Sequence, residues 1–385
     1  MKKPRVVITG GGTAGHTNPG IAVGEALVAL GLDPSDIHFV GGVRGNEATL
    51  VPAAGFTIDL LPGRGIQRRL TIDNVGAAVS LLLGLFKGFW YVLTKRPQVV
   101  MCLGGYAAFA VSAAAVILRV PVVVSEQNAR ASAVNRLIGR WAKVCALPFP
   151  ETDLPRGVVT GNPSRASVLQ AVENTSRDVA LEKMGLPPDR TIIVVWSGSL
   201  GARRINEAVR SLAKHWSDRS DIAIRHVIGK RDWNEFAKAP AAVAGGELVY
   251  QTVEYENDMP SLLVAGDVAV TRAGASTIAE LTVAGLPSIL IPLPHAPRDH
   301  QRANTAELVK AKGALVISDA AVDGQHLDRL LRELIDEPGR LEMMSDSAKA
   351  VGRPDAARRV ALLVADTGGI HVGSDEPDES SMGKA

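Results

Sequence analysis

Large aromatic side chains are scarce here: Phe, Trp and Tyr together make up 4% of the 385 residues. That balance suits Ala-, Val- and Gly-rich α/β units better than a β-sandwich. Cysteine occurs twice, at Cys102 and Cys145, each inside an apolar run. Two such residues exclude a disulfide framework and any zinc spacing, and they read as small core side chains in a reducing compartment. Excess charge of one sign is also missing. The net charge is +2, so no strong field points to a nucleic-acid partner. No uninterrupted apolar run reaches the roughly 20 residues that a membrane span needs. The nearest, Val75 to Val92, contains Lys87 and several glycines. No Asp-x-Asp pair of the kind that grips a metal–nucleotide complex occurs, and no obligate metal or other cofactor is expected. Met1-Lys2-Lys3-Pro4 runs straight into a strand without the pattern of a secretory leader, so a cytoplasmic location is expected.

What the chain has in quantity is glycine, at 38 residues, and 46% hydrophobic residues, enough for two cores. Strand-like runs alternate with helical periodicity from Arg5 onward. Arg5–Thr9, Ile37–Val40, Ile58–Leu61, Val99–Leu103, Val122–Val124 and Val144–Leu147 read as buried strands. Pro19 reads as the opening of a helix that runs to Leu30, with Gly31 as its stop. Pro148, Pro150, Pro155 and Pro163 mark a break, and a second series starts with Ile192–Trp196. The expectation is α/β: two doubly wound, Rossmann-like domains facing a cleft. Residues 1–163 form the first and 164–350 the second, a helix over 351–366 returns to the first, and 367–385 form a disordered tail.

Three glycine loops fall at strand–helix junctions. They are Gly10-Gly11-Gly12-Thr13-Ala14-Gly15-His16, Leu103-Gly104-Gly105-Tyr106, and Ser197-Gly198-Ser199-Leu200-Gly201. Glycines let backbone turn sharply and approach a ligand, and the following helix N-terminus offers N–H groups to a phosphate. Gly10, Gly12 and Gly15 have the spacing of a dinucleotide fingerprint. The acid that would hold a ribose is missing from the end of the second strand, where Val40-Gly41-Gly42-Val43 stands and the first acid is Glu47. A nicotinamide dehydrogenase is therefore disfavoured. Any one loop could be a structural turn, but three at equivalent junctions favour an anionic ligand such as a pyrophosphate.

Read with Thr271-Arg272-Ala273-Gly274-Ala275-Ser276-Thr277-Ile278-Ala279-Glu280, Asp299-His300-Gln301-Arg302-Ala303-Asn304, Glu126-Gln127-Asn128 and Gly161-Asn162-Pro163-Ser164-Arg165, the loops resemble the MurG family. Its members are UDP-N-acetylglucosaminyltransferases of peptidoglycan synthesis. The resemblance runs from about residue 5 to 317 and implies a GT-B fold with the UDP-sugar in the second domain. It implies that Ser199 contacts the donor diphosphate and Arg165 lies near the nucleotide. Ala275, Ser276 and Thr277 would open a helix under the donor, with Glu280 on the ribose and Arg272 close by. Gln301 and Asn304 would face the sugar, approached from the first domain by Thr13, Ala14, Gly15 and Asn128. Gly12, Gly104, Gly105 and Tyr106 would meet the acceptor diphosphate. Departures from the family pattern are Ser125 for a His, Ser197 for a Gly, Leu200 for a Gln and Ala273 for a Ser. Glu256 stands where an apolar residue's backbone usually meets the uracil.

The implied reaction is inverting transfer of N-acetylglucosamine from UDP to an undecaprenyl-diphosphoryl muramyl pentapeptide. His16, at the positive end of a helix dipole, is the candidate general base, with helix capping or phosphate binding as its competing role. Glu126 is the alternative base. The segment Leu81–Val92, flanked by Arg64, Arg68, Arg69, Lys95 and Arg96, fits either an anionic membrane surface or a crossover helix packed on the sheet. Peripheral attachment to the cytoplasmic face of the inner membrane follows from the lipid acceptor, with other cell-wall synthesis proteins as candidate partners. Rival readings are another UDP-sugar glycolipid synthase of the same fold, a UDP-N-acetylglucosamine 2-epimerase, and a silent UDP-sugar binder.

Overall fold

A computed structural model describes residues 3–12, 14–43, 45–62, 73–237 and 245–373. Two compact units emerge. The first comprises residues 1–127, 131–163 and 355–385, and the second residues 128–130 and 164–354.

The first unit holds a seven-stranded sheet. Its strands are β1 (Val6–Gly10), β2 (Ile37–Gly42), β3 (Thr57–Leu61), β4 (Val99–Gly104), β5 (Val122–Ser125), β6 (Val144–Leu147) and β7 (Gly157–Val159). All pair in parallel in the order β3-β2-β1-β4-β5-β6-β7. Val and Ile fill both faces of the central strands because helices cover both sides. The strand order reverses at β1/β4, which is where such sheets bind ligands. The register slips between Thr9 and Gly10, so that Gly10 stands opposite Gly104.

One face of this sheet is covered by the helices Ala14–Ala29 and Ala356–Thr367, with Val360, Ala361, Val364 and Ala365 buried in its core. The chain thus comes back to the first unit at its end. Residues 368–373, expected to be part of a disordered tail, pack instead: Ile370 is buried in that core and Gly373 N–H donates to Leu30 O. The remaining tail, 374–385, lies outside the described residues. Pro19 does not open its helix but lies inside it, five residues after Ala14. The carbonyl it deprives of a partner is that of Gly15, which is exposed in the first turn, where water can replace the bond.

The second unit holds β8 (Thr191–Trp196), β9 (Ile222–Val227), β10 (Val249–Val253), β11 (Val268–Thr271), β12 (Ser288–Leu290) and β13 (Ala314–Val316), again all parallel. The order is β10-β9-β8-β11-β12-β13, with its switch point at β8/β11. The edge strands β10 and β13, like β7 in the first sheet, carry weak apolar patterns and escape a reading by periodicity.

His226 on β9 is fully buried, with Nδ1 2.9 Å from Tyr250 Oη and Nε2 3.1 Å from Asn206 Oδ1. Burial pulls its pKa down to about 3. The folded chain therefore keeps this ring neutral while the unfolded chain takes up a proton below about 6.5. Stability of the second unit is expected to fall as pH drops from 6.5 toward 3, by about 2 kcal/mol from pH 7 to 5 from this group. Urea melts of the unmodified chain and His226→Gln at both pH values check this; equal pH slopes would refute it.

Candidate functional site

At the first switch point the loops after β1 and β4 lie against each other: a Cβ on Gly105 would meet Gly11 O at 3.3 Å. Gly10, Gly11, Gly12, Gly104 and Gly105 all have positive φ. Their crowding has a cause the sequence hides. Glu47, buried at the start of the helix Glu47–Ala53, accepts from Gly12 N–H (2.8 Å) and Gly42 N–H (2.9 Å). A Cβ on Gly11 would lie 2.2 Å from this carboxyl, and one on Gly45 closer still. Gly12, expected at an acceptor diphosphate, thus has its N–H taken by a carboxylate. The glycines ringing Glu47 in sequence (Gly41, Gly42, Gly45) are the signal that could have found it.

Ala14 begins the first helix, and Gly15 and His16 sit in its first turn. The half-buried His16 therefore lies within the helix and not before it. Thr13 lies outside the described residues. Gly105 caps the helix Tyr106–Ile117 without a side-chain bond, and Tyr106 Oη donates to Pro62 O at 3.4 Å while packing on Gly84.

Glu126 is not poised as a base. It is buried, Oε1 accepts from Gln127 N–H (3.0 Å), and Oε2 accepts from Ser132 N–H (2.9 Å) and Asn135 Nδ2 (2.8 Å). Its carboxylate anchors the 126–132 loop. Ser125, where the family carries His, is buried with no hydrogen-bond partner for Oγ.

At the second switch point a cavity of about 370 Å³ opens beside the carboxyl ends of β8 and β11. Its lining includes Ser197, Gly198, Gly201, Thr271, Arg272, Gly274, Thr277 and Gln301. Two helices start at it, Arg203–His215 and Ala275–Ala284, capped by Ala202 and Gly274 with no side-chain bond. In the same unit Arg177–Met184, Met259–Ala265 and Gly324–Ile335 are capped by Ser176, Asp258 and Asp323 side chains, whereas Ala166–Asn174 and Arg340–Ala350 also lack a side-chain cap. What sets the two cavity helices apart is that both uncapped starts border one cavity, where both dipoles favour an anion. Arg203, Arg204, Arg231 and Arg272 also line it. The first three were not singled out in the sequence because they lie beyond the motif glycines or on a different loop. Thr271 Oγ1, Arg272 Nε and Ser197 Oγ are buried there without hydrogen-bond partners. Ser199 is exposed on the loop that borders the cavity.

The remaining donor residues divide. Arg165 and Glu280 form an ion pair at 3.1 Å, and burial raises the Glu280 pKa against the opposing pull of Arg165. Ala275, Ser276 and Thr277 form the first turn of the Ala275–Ala284 helix. Gln301 accepts from Leu293 N–H through Oε1 at 2.9 Å. That bond closes a loop in which His295, Arg298 and Asp299 all have positive φ, backbone strain of about 1–2 kcal/mol each.

One expectation is corrected. Asn304 is fully buried: Oδ1 accepts from Ala129 N–H (2.8 Å), and Nδ2 donates to Ala273 O (3.2 Å) and Asn128 Oδ1 (3.3 Å). Its amide holds the 128–130 segment. Glu256 is buried and paired with Arg225 at 2.8 Å, so only its backbone is left to meet a base.

The helix Asp73–Lys95 packs Gly84 and Gly88 against Tyr106 and Ala110. Leu82, Leu83, Phe86 and Trp90 are exposed, as is Lys87. Arg64, Arg68 and Arg69 lie outside the described residues. Among the described residues no helix is long and apolar enough to cross a membrane, and no cluster of His, Cys, Asp or Glu could hold a metal ion. Cys102 and Cys145 are free and buried, and burial pushes both thiols up to about 11.

Two parallel doubly wound sheets, each with glycine loops at its switch point, define the two-Rossmann-domain, GT-B fold class. Residues 6–147 match the glycosyltransferase family 28 N-terminal domain and residues 192–360 the C-terminal domain of the same family. The chain is 35% identical to the UDP-N-acetylglucosamine--N-acetylmuramyl-(pentapeptide) pyrophosphoryl-undecaprenol N-acetylglucosamine transferase of Desulfitobacterium hafniense (strain Y51), over 94% of this chain and 99% of that one. Among solved structures it resembles the MurG of Acinetobacter baumannii, with a TM-score of 0.75 at 25% identity over 94% and 99% of the two chains. The UDP-GlcNAc 2-epimerase of Neisseria meningitidis, bound to UDP-GlcNAc, matches with a TM-score of 0.62 over 94% of this chain and 99% of that one. At 14% identity that likeness shows the fold alone. The chain belongs to glycosyltransferase family 28.

Proposed function

We propose that this chain transfers N-acetylglucosamine from UDP-N-acetylglucosamine to undecaprenyl-diphosphoryl-N-acetylmuramyl pentapeptide, with inversion at the anomeric carbon. The observation that carries the donor half is the cavity at β8/β11, where two uncapped helix N-termini and four arginines converge. A 35% identity over 94% of this chain to a transferase of that name supports the acceptor half.

In this reading the diphosphate lies on the first turns of the Arg203–His215 and Ala275–Ala284 helices, with Ser199, Ser276, Thr277 and Arg272 around it. Glu280, kept in place by Arg165, accepts from the ribose hydroxyls, and Gln301 meets the sugar. His16 takes the proton from the muramyl hydroxyl as its oxygen attacks the anomeric carbon. The bond from that carbon to the diphosphate oxygen breaks, and UDP leaves with the electron pair. Helix dipoles and guanidinium groups stabilise the departing charge in this scheme, without an obligate metal. Gly104 and Gly105 receive the acceptor diphosphate. The exposed Leu82, Leu83, Phe86 and Trp90, with Lys87 among them, support docking on an anionic membrane surface where a polyprenyl acceptor resides.

An assay with radiolabelled UDP-N-acetylglucosamine and the lipid acceptor tests the reading. Label in the lipid supports it, free N-acetylmannosamine would make the chain an epimerase, and binding without turnover would make it a silent binder. Glu280→Ala is expected to weaken donor binding about 10- to 100-fold, the worth of hydrogen bonds to a charged group. Donor affinity by calorimetry checks it, and an unchanged value would remove the ribose role.

A further inference from the structure

Among the described residues that line the donor cavity, Asp319 is the only acid, against four arginines. It sits in the short turn Asp319–Ala321 after β13. Its Oδ1 is 2.7 Å from Arg272 Nη2, a charge contact without hydrogen-bond alignment that leaves this buried oxygen with no hydrogen-bond partner, and its Oδ2 is 3.5 Å from Arg204 Nε. Arg272 is fixed further by donating through Nη1 to Ile291 O (3.1 Å) and Pro292 O (3.3 Å). Arg204 is more loosely held, half exposed, with one further bond to Ala320 O at 3.3 Å. The other two cavity arginines are paired with acids outside the lining: Arg203 with Glu207 and Glu235, and Arg231 with Asp232.

One carboxylate thus touches guanidinium groups from two separate segments, at the place where a diphosphate would compete for them. When the glycosyl bond breaks, the leaving diphosphate gains a negative charge, so arginines and dipoles grip product more tightly than donor. Tight binding of a ground state on either side adds nothing to turnover.

We propose that Asp319 is a positioning residue that competes with the nucleoside diphosphate for Arg204 and Arg272 and thereby sets how fast UDP leaves. The inference rests on the donor reading above. Arg204 exchanges Asp319 for the diphosphate when nucleotide binds and returns to it on release. Arg272 keeps Nη1 on the carbonyls of Ile291 and Pro292, and only its Nη2 is shared between Asp319 and the diphosphate.

The test is UDP binding by titration calorimetry to the full chain and to Asp319→Asn, with turnover at saturating substrates. Removing one negative charge from the cavity wall is expected to tighten UDP binding about tenfold. Turnover should fall, and the thermal midpoint should stay near that of the unmodified chain. Asp319→Ser, which keeps a polar group in the turn, should give the same gain. A purely structural Asp319 would move UDP affinity the other way, because its loss would loosen Arg272. UDP affinity unchanged or weakened in both variants overturns the inference alone. Absence of UDP binding by the unmodified chain overturns the donor reading and this inference with it.

Discussion

His16→Ala is expected to lower turnover about 10²- to 10⁴-fold, the contribution of a positioned general base. Donor affinity should stay near that of the unmodified chain, because the described lining of the donor cavity runs from Ser197 to Asp319 in the second unit. The location of His16 supports the assignment. It follows the Gly10–Gly12 turn at the β1/β4 switch point and projects from the first turn of the Ala14–Ala29 helix. The sequence offered Glu126 as a substitute base, but both of its oxygens are spent on the N–H groups of Gln127 and Ser132 and the amide of Asn135. Steady-state kinetics with both substrates saturating separates the two effects. Near-normal turnover by purified His16→Ala would remove this residue as the base.

Gly229→Ala should have the second large effect, on donor binding. Gly229 and Gly201 cross back to back. A Cβ on Gly229 would sit 2.2 Å from Gly201 N and 2.4 Å from Gly201 Cα, with φ at +89°. Both contacts are backbone, so no side chain can swing away. The 198–201 loop is laid on this segment: Lys230 N–H donates to Ser199 O (3.1 Å), and Arg231 donates to Leu200 O (3.3 Å) and Gly201 O (3.0 Å). A methyl group there must push the loop off, carrying Ser199 and the start of the Arg203–His215 helix with it. The left-handed conformation and the overpacking together cost about 2–5 kcal/mol. UDP affinity is expected to fall at least about thirtyfold, the equivalent of roughly 2 kcal/mol. Calorimetry on the folded variant decides it, and UDP affinity equal to that of the unmodified chain would show that the loop does not hold the diphosphate.

Much of the fold was legible in the order of residues. Runs such as Val6–Gly10 and Thr191–Trp196 declare strands buried on both faces, and the glycine loops that follow them declare where backbone must turn. Both signals are local, carried by neighbours within a few residues. The alternation of strands and helices then leaves parallel, doubly wound sheets as the expected arrangement, with glycine loops at the points where strand order reverses.

Which polar side chains remain available for chemistry was decided only by tertiary structure. Glu47 closes on Gly12 from 35 residues away, and Asn304 is spent on Ala129 from 175 residues away. Glu256 is consumed by Arg225, and Asp319 reaches back to Arg272 and Arg204. A motif names a residue type and a spacing along the chain. Whether its carboxylate or amide faces a ligand depends on partners that folding brings from elsewhere, since a buried polar atom takes whatever donor or acceptor lies within about 3 Å. The sequence by itself determined the sheets and their glycine turns; the three-dimensional pairing of charges determined which residues at those turns are left to act.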